Sequence, residues 1–390
     1  MKSDRIIGLD IIRAIAITIV IIFHSAPILY PLRTLPVIGS VVHKLLALTE
    51  PFGLLGVELF FVLSGFLIGT ILIKIYLRSE HFGFKEIRSF LVRRWFRTVP
   101  NYWLILVLNY VLYTSLNLHI FQIDYLQYFV FIQNLWSKCP QFFPESWSLA
   151  VEEWFYLTLP VVLLLASFLF LKKGKKSVLF ITFFIYATVF FLVRVFLTNS
   201  TNNDPLYFDY GVRKIVMFRL DAICYGFLIA LMHVYYNGRL MKVKRQLLLI
   251  SVVGIIVITG IHYIGIHPNF MFYNKYAYYR VFHNTVFLAL IPLLFSLSIP
   301  YAASMKEIKS RRLSIAISTI SKISYSMYLV HFTMLYMAFE HFVVFTKYNC
   351  IPLYIAYWVL VIGISLFLYH FYEIPLMNLR KKISKEEPSI

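Results

Sequence analysis

Charged residues are scarce in this chain. They make up 14% of its 390 residues, whereas an ordinary soluble domain carries about 25%. With 60% hydrophobic residues, a soluble core of this size has nowhere to hide its apolar surface, which excludes an ordinary soluble enzyme. Cysteine is sparse too. Cys139, Cys224 and Cys350 form an odd set without metal-ligand spacing, which argues against a disulfide framework, a zinc site or any other metal centre. Cys139 and Cys350 could pair only if both their loops faced an oxidising compartment. No Gly/Ser-rich or Pro-rich linker interrupts the chain and no internal repeat is visible, so nothing divides it into separate domains.

What is present is apolar sequence in runs of about 20 residues, the length with which a helix crosses a hydrocarbon layer of about 30 Å. Ten spans are expected, near 6–26, 54–73, 98–117, 148–171, 177–197, 215–236, 246–265, 282–300, 315–338 and 353–373. The expected fold class is therefore all-α, a polytopic membrane protein of about ten transmembrane helices. One integral membrane domain occupies 1–375, followed by a short basic tail over 376–390. The first run follows Lys2 and Arg5 as a signal peptide does, but it contains Asp10 and Arg13 and lacks a small-residue cleavage site, so it is expected to be retained. A weaker stretch near 125–135 carries Gln127, Gln133 and Asn134 and is expected in an outer loop or at the interface, with a re-entrant element as the alternative.

The net charge of +19 suggests nucleic acid until the positions of the charges are considered. With the N-terminus placed in the cytoplasm, 25 of the 37 Lys and Arg residues fall in inward-facing segments and 8 in outer loops. The other four, Arg13, Arg194, Arg219 and Lys322, lie within spans. This is the bias of a multi-pass protein of the plasma or inner membrane with both termini cytoplasmic. No nucleic-acid partner is needed to explain the charge.

Ionisable residues within spans are costly and mark functional sites by default. In the first span, His24 follows Arg13 by eleven positions, a rotation of three turns plus about 20° and a rise of roughly 16 Å. The two share a face, with Asp10 beside Arg13 at the inner end and an imidazole at the outer end. The plainer reading is an interfacial Asp10–Arg13 pair and a His24 that reaches for the headgroups. Glu152 and Glu153 open the fourth span in ESWSLAVEEWFY, and adjacent carboxylates point about 100° apart, so only one readily faces the same interior as His24. Helix-start electrostatics, with Ser148 before Glu152 in a capping arrangement, account for one of them more easily than for two. In FLVRRWFRTVP, Arg93 and Arg97 share a face with Arg94 beside them; the cluster is either a topology signal or a clamp for a polyanionic cytoplasmic ligand. Glu58, Arg219, Asp221, His331 and Glu373, taken singly, read as packing residues. The 28 Tyr and 37 Phe are explained by aromatic belts.

These stretches, in this order, resemble the acyltransferase-3 family of membrane O-acyltransferases. The resemblance rests on RIIGLDIIRAIAITIVIIFH, GVELFFVLSGFLIG, RRWFRTVPNYW, WSLAVEEWFY, FRLDAICYG, ISYSMYLVH and YEIP, and runs from Arg5 to about Pro375. It implies an enzyme that transfers an acyl group, usually acetyl from acetyl-CoA, to a hydroxyl of a carbohydrate beyond the membrane, here a surface glycan or its lipid-linked precursor. Acyl-CoA is then a donor substrate, and no cofactor is bound permanently. The family's arginine–ten residues–histidine motif falls on Arg13 and His24, its arginine cluster on Arg93, Arg94 and Arg97, and its acidic motif on Glu152 and Glu153. The implied assignments are His24 as general base, Glu152 or Glu153 as its acidic partner with Glu153 slightly favoured, and Arg13, Arg93, Arg94 and Arg97 as donor-binding residues. Ile11 stands where the family often has Gly, and Ala150 and Trp154 replace a commonly polar Ser and Gln. Some members carry a fused extracytoplasmic SGNH hydrolase-like domain, which is absent from this sequence, so it is expected either to act directly or to pass the acyl group to a separate extracytoplasmic partner.

A transporter or flippase exporting an acyl group or glycan intermediate would also use an intramembrane Arg and His. No paired inverted repeats or Gly/Pro-broken spans support it. A membrane scaffold leaves the buried charges unexplained.

Overall fold

Apolar runs of this length become helices because backbone that meets no water must satisfy its own N–H and C=O groups. The computed structural model describes residues 6–116, 124–138, 140–198, 202, 204–266 and 272–383, and among them there is no strand. Its long helical segments are α1 (Ile7–Ser25), α2 (Phe52–Arg78), α3 (Phe84–Ser115), α4 (Trp147–Leu169) and α5 (Lys175–Leu197), then α6 (Leu220–Lys242), α7 (Lys244–Ile266), α8 (Ala277–Ala303), α9 (Arg311–Phe342) and α10 (Cys350–Leu379). Cys139, and with it the Cys139–Cys350 pairing, lies outside the described residues, as does the tail beyond residue 383.

Among the described residues, eight segments are long and apolar enough to cross a membrane. The expected spans 98–117 and 215–236 fall on α3 and α6, which are long but more polar. Their polarity has a structural reason. The second half of α3 buries Asn101 and Asn109, and the Asn101 amide donates to Ser326 Oγ at 3.0 Å and Glu373 Oε1 at 2.8 Å. Helix α6 is packed on most sides by protein, so it needs less apolar surface than a helix facing lipid.

The α2–α6 contact shows how the core is built. A Cβ on Gly65 would sit 2.0 Å from the Ile223 carbonyl oxygen, and one on Gly226 would sit 2.1 Å from that of Val62. Only glycine lets the two backbones come this close, and small residues at crossings are how membrane helices gain packing contacts. Two fully buried ion pairs brace the same region. Arg194 on α5 grips Asp221 on α6 with two hydrogen bonds, at 2.7 and 2.8 Å. Arg219, just before α6, pairs with Glu58 on α2 and donates to the Leu288 carbonyl at 3.0 Å. Glu58, Arg219, Asp221 and Glu373 thus have structural partners.

The 125–135 stretch is a loop with one short helix, Leu126–Phe129, pinned at its far end. The Asn134 amide donates to the Lys214 carbonyl at 2.6 Å, and Gln133 donates to Ser146 Oγ at 3.2 Å. Its polar residues hold the loop against the mouth of the bundle.

Candidate active site

Lys74 and Arg78 stand one turn apart on the last turns of α2, and Arg93, Arg94 and Arg97 stand on the first half of α3. The five line one cavity of about 410 Å³ that has no carboxylate on its walls. Glu152 and Glu373 lie within electrostatic range of Arg97 and Glu153 within range of Arg94, and the cavity's own lining is cationic and apolar.

Arg94 and Arg97 also line a second, narrower cavity of about 130 Å³ farther into the bundle. On its walls are Arg13 from α1, Ser64 from α2, Ser148, Glu152 and Tyr156 from α4, and Tyr328 from α9. These polar groups are held in place. Tyr156 donates to Glu152 Oε2 at 2.6 Å, so Ser64 is left to donate to the Tyr156 oxygen at 2.5 Å. Arg13 donates to Ser321 Oγ at 3.0 Å, and Ser321 donates to Asp10 Oδ1 at 2.8 Å, so the Asp10–Arg13 pair is bridged by a hydroxyl from α9.

Beyond Tyr328 lies a histidine pair. The π turn His331–Tyr336 follows directly on the α-helical part of α9, and such bulges often occur at functional sites. His331 Nδ1 is 2.7 Å from the Tyr328 carbonyl, which can only accept, so that nitrogen carries the proton. His331 Nε2 is therefore an acceptor in the neutral ring, and it lies 3.0 Å from His24 Nδ1, which must donate to it. This assignment by hydrogen-bond partners leaves His24 Nε2 with a free lone pair. His331 is fully buried, whereas His24 is half-buried.

Two further groups fix this end. Glu145 is buried and accepts from the Thr333 backbone N–H at 2.9 Å and from its hydroxyl at 2.5 Å, tying the entry to α4 to the π turn. Tyr328 donates to the Glu145 carbonyl at 3.0 Å. Outside the spans, Arg213 and Lys214 each approach Asp209 to 2.5 Å and lie within electrostatic range of His24. Burial works against the Asp209 carboxylate, but these two cations outweigh it and hold its pKa down to about 2, so it stays charged.

Arg13, Arg94, Arg97 and Glu152 are brought to one cavity, and Arg93 to the basic cavity beside it. The expected carboxylate partner of His24 is not there. Glu152 faces the inner cavity, Glu153 accepts from Thr98 at 2.7 Å on another side of α4, and His24 meets His331 instead. The 100° between neighbouring side chains separates the two carboxylates, as expected. Glu153, slightly favoured as the partner of His24, is buried against Thr98 instead. Lys74, Arg78, Glu145 and Tyr328 were not singled out from sequence. Lys74 and Arg78 had a signal in their four-residue spacing next to the arginine cluster.

Over residues 6–370 the chain matches the family described as "Acyltransferase domain". It is 27% identical over 329 residues to the O-acetyltransferase OatA of Staphylococcus aureus (strain NCTC 8325 / PS 47), a match that covers 80% of this chain and 51% of that protein. The same values hold for OatA of strains COL and MRSA252. The chain spans about half the length of these curated relatives. No solved structure matches it.

Proposed function

The chain belongs to the acyltransferase-3 family of membrane acyltransferases, and from that premise we propose that it moves an acyl group from acyl-CoA to a carbohydrate hydroxyl on the opposite side of the membrane. The observation that carries this reading is the pair of cavities sharing Arg94 and Arg97, one lined with cations and the other leading inward past Arg13. The Lys and Arg bias supports a cytoplasmic position for the cationic cavity, on the side where CoA is found. The donor phosphates lie among Lys74, Arg78, Arg93, Arg94 and Arg97, and the pantetheine arm extends past Arg13 toward His24, roughly 16 Å farther along α1. Acetyl is the acyl group favoured by the names of the relatives, and a cell-surface glycan or its lipid-linked precursor is the acceptor.

In the transfer step, His24 Nε2 takes the proton of the acceptor hydroxyl as its oxygen attacks the thioester carbonyl. The carbon–oxygen ester bond forms, the carbon–sulfur bond breaks, and the proton passes from His24 to the leaving thiolate to give free CoA. His331 fixes the tautomer that makes this direction of proton transfer available.

The cationic cavity gives a direct test. Each charge-assisted contact to a phosphate is worth about 1.5–3 kcal/mol, so Arg97→Ala or Lys74→Ala should raise the Kd of purified protein for acyl-CoA roughly ten- to a hundredfold. Isothermal titration with acetyl-CoA reads this directly. Unchanged affinity in both variants would mean that the five cations only set topology.

A further inference from the structure

A third cavity, of about 470 Å³, lies on the flank of the bundle between α3, α4 and the 129–131 segment. Its walls are Trp95, Val99 and Trp103 on α3, Trp154 and Leu157 on α4, and Phe129 to Phe131. Along α3, residues 95–103 give it a length of roughly 12 Å. Three features set it apart from an incidental crevice between apolar helices.

The first is its construction. Two indole N–H groups on opposite walls grip the backbone of the third wall: Trp103 donates to the Phe129 carbonyl at 3.1 Å and Trp154 to the Phe131 carbonyl at 2.9 Å. Between them Phe131 is held at φ 59°, in the left-handed region, alone among the described non-glycine residues. A bulky side chain adopts that conformation only where its surroundings impose it, and such strain gathers at binding sites. The second is a carboxylate set among its apolar walls. Glu153 is 8% exposed and lines the groove, and its Oε2 has no hydrogen bond of good geometry, with the Trp95 indole nearby. The third is position. Thr98 lines the inner cavity and Glu153 lines the groove, and the 2.7 Å hydrogen bond between them is the partition between the two.

We propose that this groove seats the hydrocarbon chain of a lipid-linked acceptor, holding it so that its saccharide head projects toward His24 at the outer mouth. The inference rests on the acyltransfer reading above and deepens it. Its walls exclude the other ligand classes. A bare glycan would face mainly apolar surface and leave its hydroxyls unmet, and an extended peptide would leave its backbone N–H and C=O groups unmet within the bilayer. A hydrocarbon chain needs neither, and each methylene it buries contributes about 0.8 kcal/mol. The chain lies beside the reaction cavity without entering it.

The test uses the full chain in vesicles of phosphatidylethanolamine and phosphatidylglycerol, with a saccharide linked through phosphate to a diazirine-bearing prenyl chain. Photolabelling is expected to concentrate in 95–103, 129–131 and 153–157, and the unlabelled saccharide-linked prenyl phosphate should compete about tenfold better than added phosphatidylglycerol. Leu157→Trp narrows the groove, and Val130→Trp, at a position 59% exposed, blocks its rim with little demand on folding. Each should cut labelling about fivefold and raise the KM for the lipid-linked acceptor without moving the KM for acyl-CoA. Labelling spread over the whole exterior, or displaced equally by phosphatidylglycerol, would make the groove a resting place for bulk lipid and overturn the proposal. So would equal kcat/KM for the saccharide with and without its chain, a result that leaves the acyltransfer reading standing. Groove-specific labelling without acyl transfer to either acceptor would instead sustain the groove and sink that reading.

Discussion

His24→Ala is expected to lose about 10²–10⁴-fold in acyl transfer, the range a positioned general base supplies, while binding acyl-CoA as the parent protein does. The acceptor hydroxyl is a poor nucleophile near neutral pH, and in the histidine pair beyond Tyr328 it is His24 Nε2 that is left as a lone-pair acceptor by the pair's own hydrogen bonds. His331→Ala should have a smaller effect of another kind. It removes the acceptor that holds the His24 Nδ1 proton, so both tautomers become populated and kcat falls while the KM for the donor stays put. His331→Gln, whose carbonyl oxygen can replace the lost acceptor, should recover part of that loss. Steady-state kinetics on the three purified variants separate the roles. Near-normal turnover by His24→Ala would place the base elsewhere.

The largest expected effect on stability lies away from the cavities, at Asp221. Replacing it with Ala strands the Arg194 guanidinium without its counter-ion, and removing one partner of a buried pair costs about 3–5 kcal/mol. The buried carbonyl of Phe218, 2.6 Å from Arg194 Nη1, offers a hydrogen bond but no charge in exchange. Asp221→Ala should therefore yield little monodisperse protein after detergent extraction and melt at clearly lower temperature. The double variant Arg194→Met with Asp221→Leu removes both charges and should recover most of the loss, since apolar replacements of a buried pair are often near neutral. A single variant that melts like the parent would show that the pair carries no net stability.

The helices and the ends of the site were legible because both depend on spacing within one segment. Apolar runs gave the spans, and the eleven-position step from Arg13 to His24 placed both on one face of α1. What joins the helices was not legible. The partner of His24 is 307 residues away on α9, and the partner of Arg219 is 161 residues away on α2. No periodicity within α1 reveals that a π turn elsewhere will present an imidazole. Neither Glu152 nor Glu153 meets His24, for a related reason. Their 100° separation says that they diverge, but which one faces the cavity depends on how α4 is rotated against α2 and α3, and that is fixed by contacts such as Ser64 to Tyr156 and Thr98 to Glu153. Lys74 and Arg78 were absorbed into the charge count of an inward loop. Only the α2–α3 packing reveals that they face the arginine cluster.

Donor at one end and acceptor at the other is the central claim, and sidedness measures it. The protein is reconstituted in a single orientation in sealed vesicles, with acyl-labelled acetyl-CoA supplied only on the side of the Lys74–Arg97 cavity and a lipid-linked saccharide presented only on the other. The predicted result is labelled saccharide across an intact bilayer, with none formed when donor and acceptor change sides. Acylation that requires both on the same side, or proceeds equally from either, would contradict it.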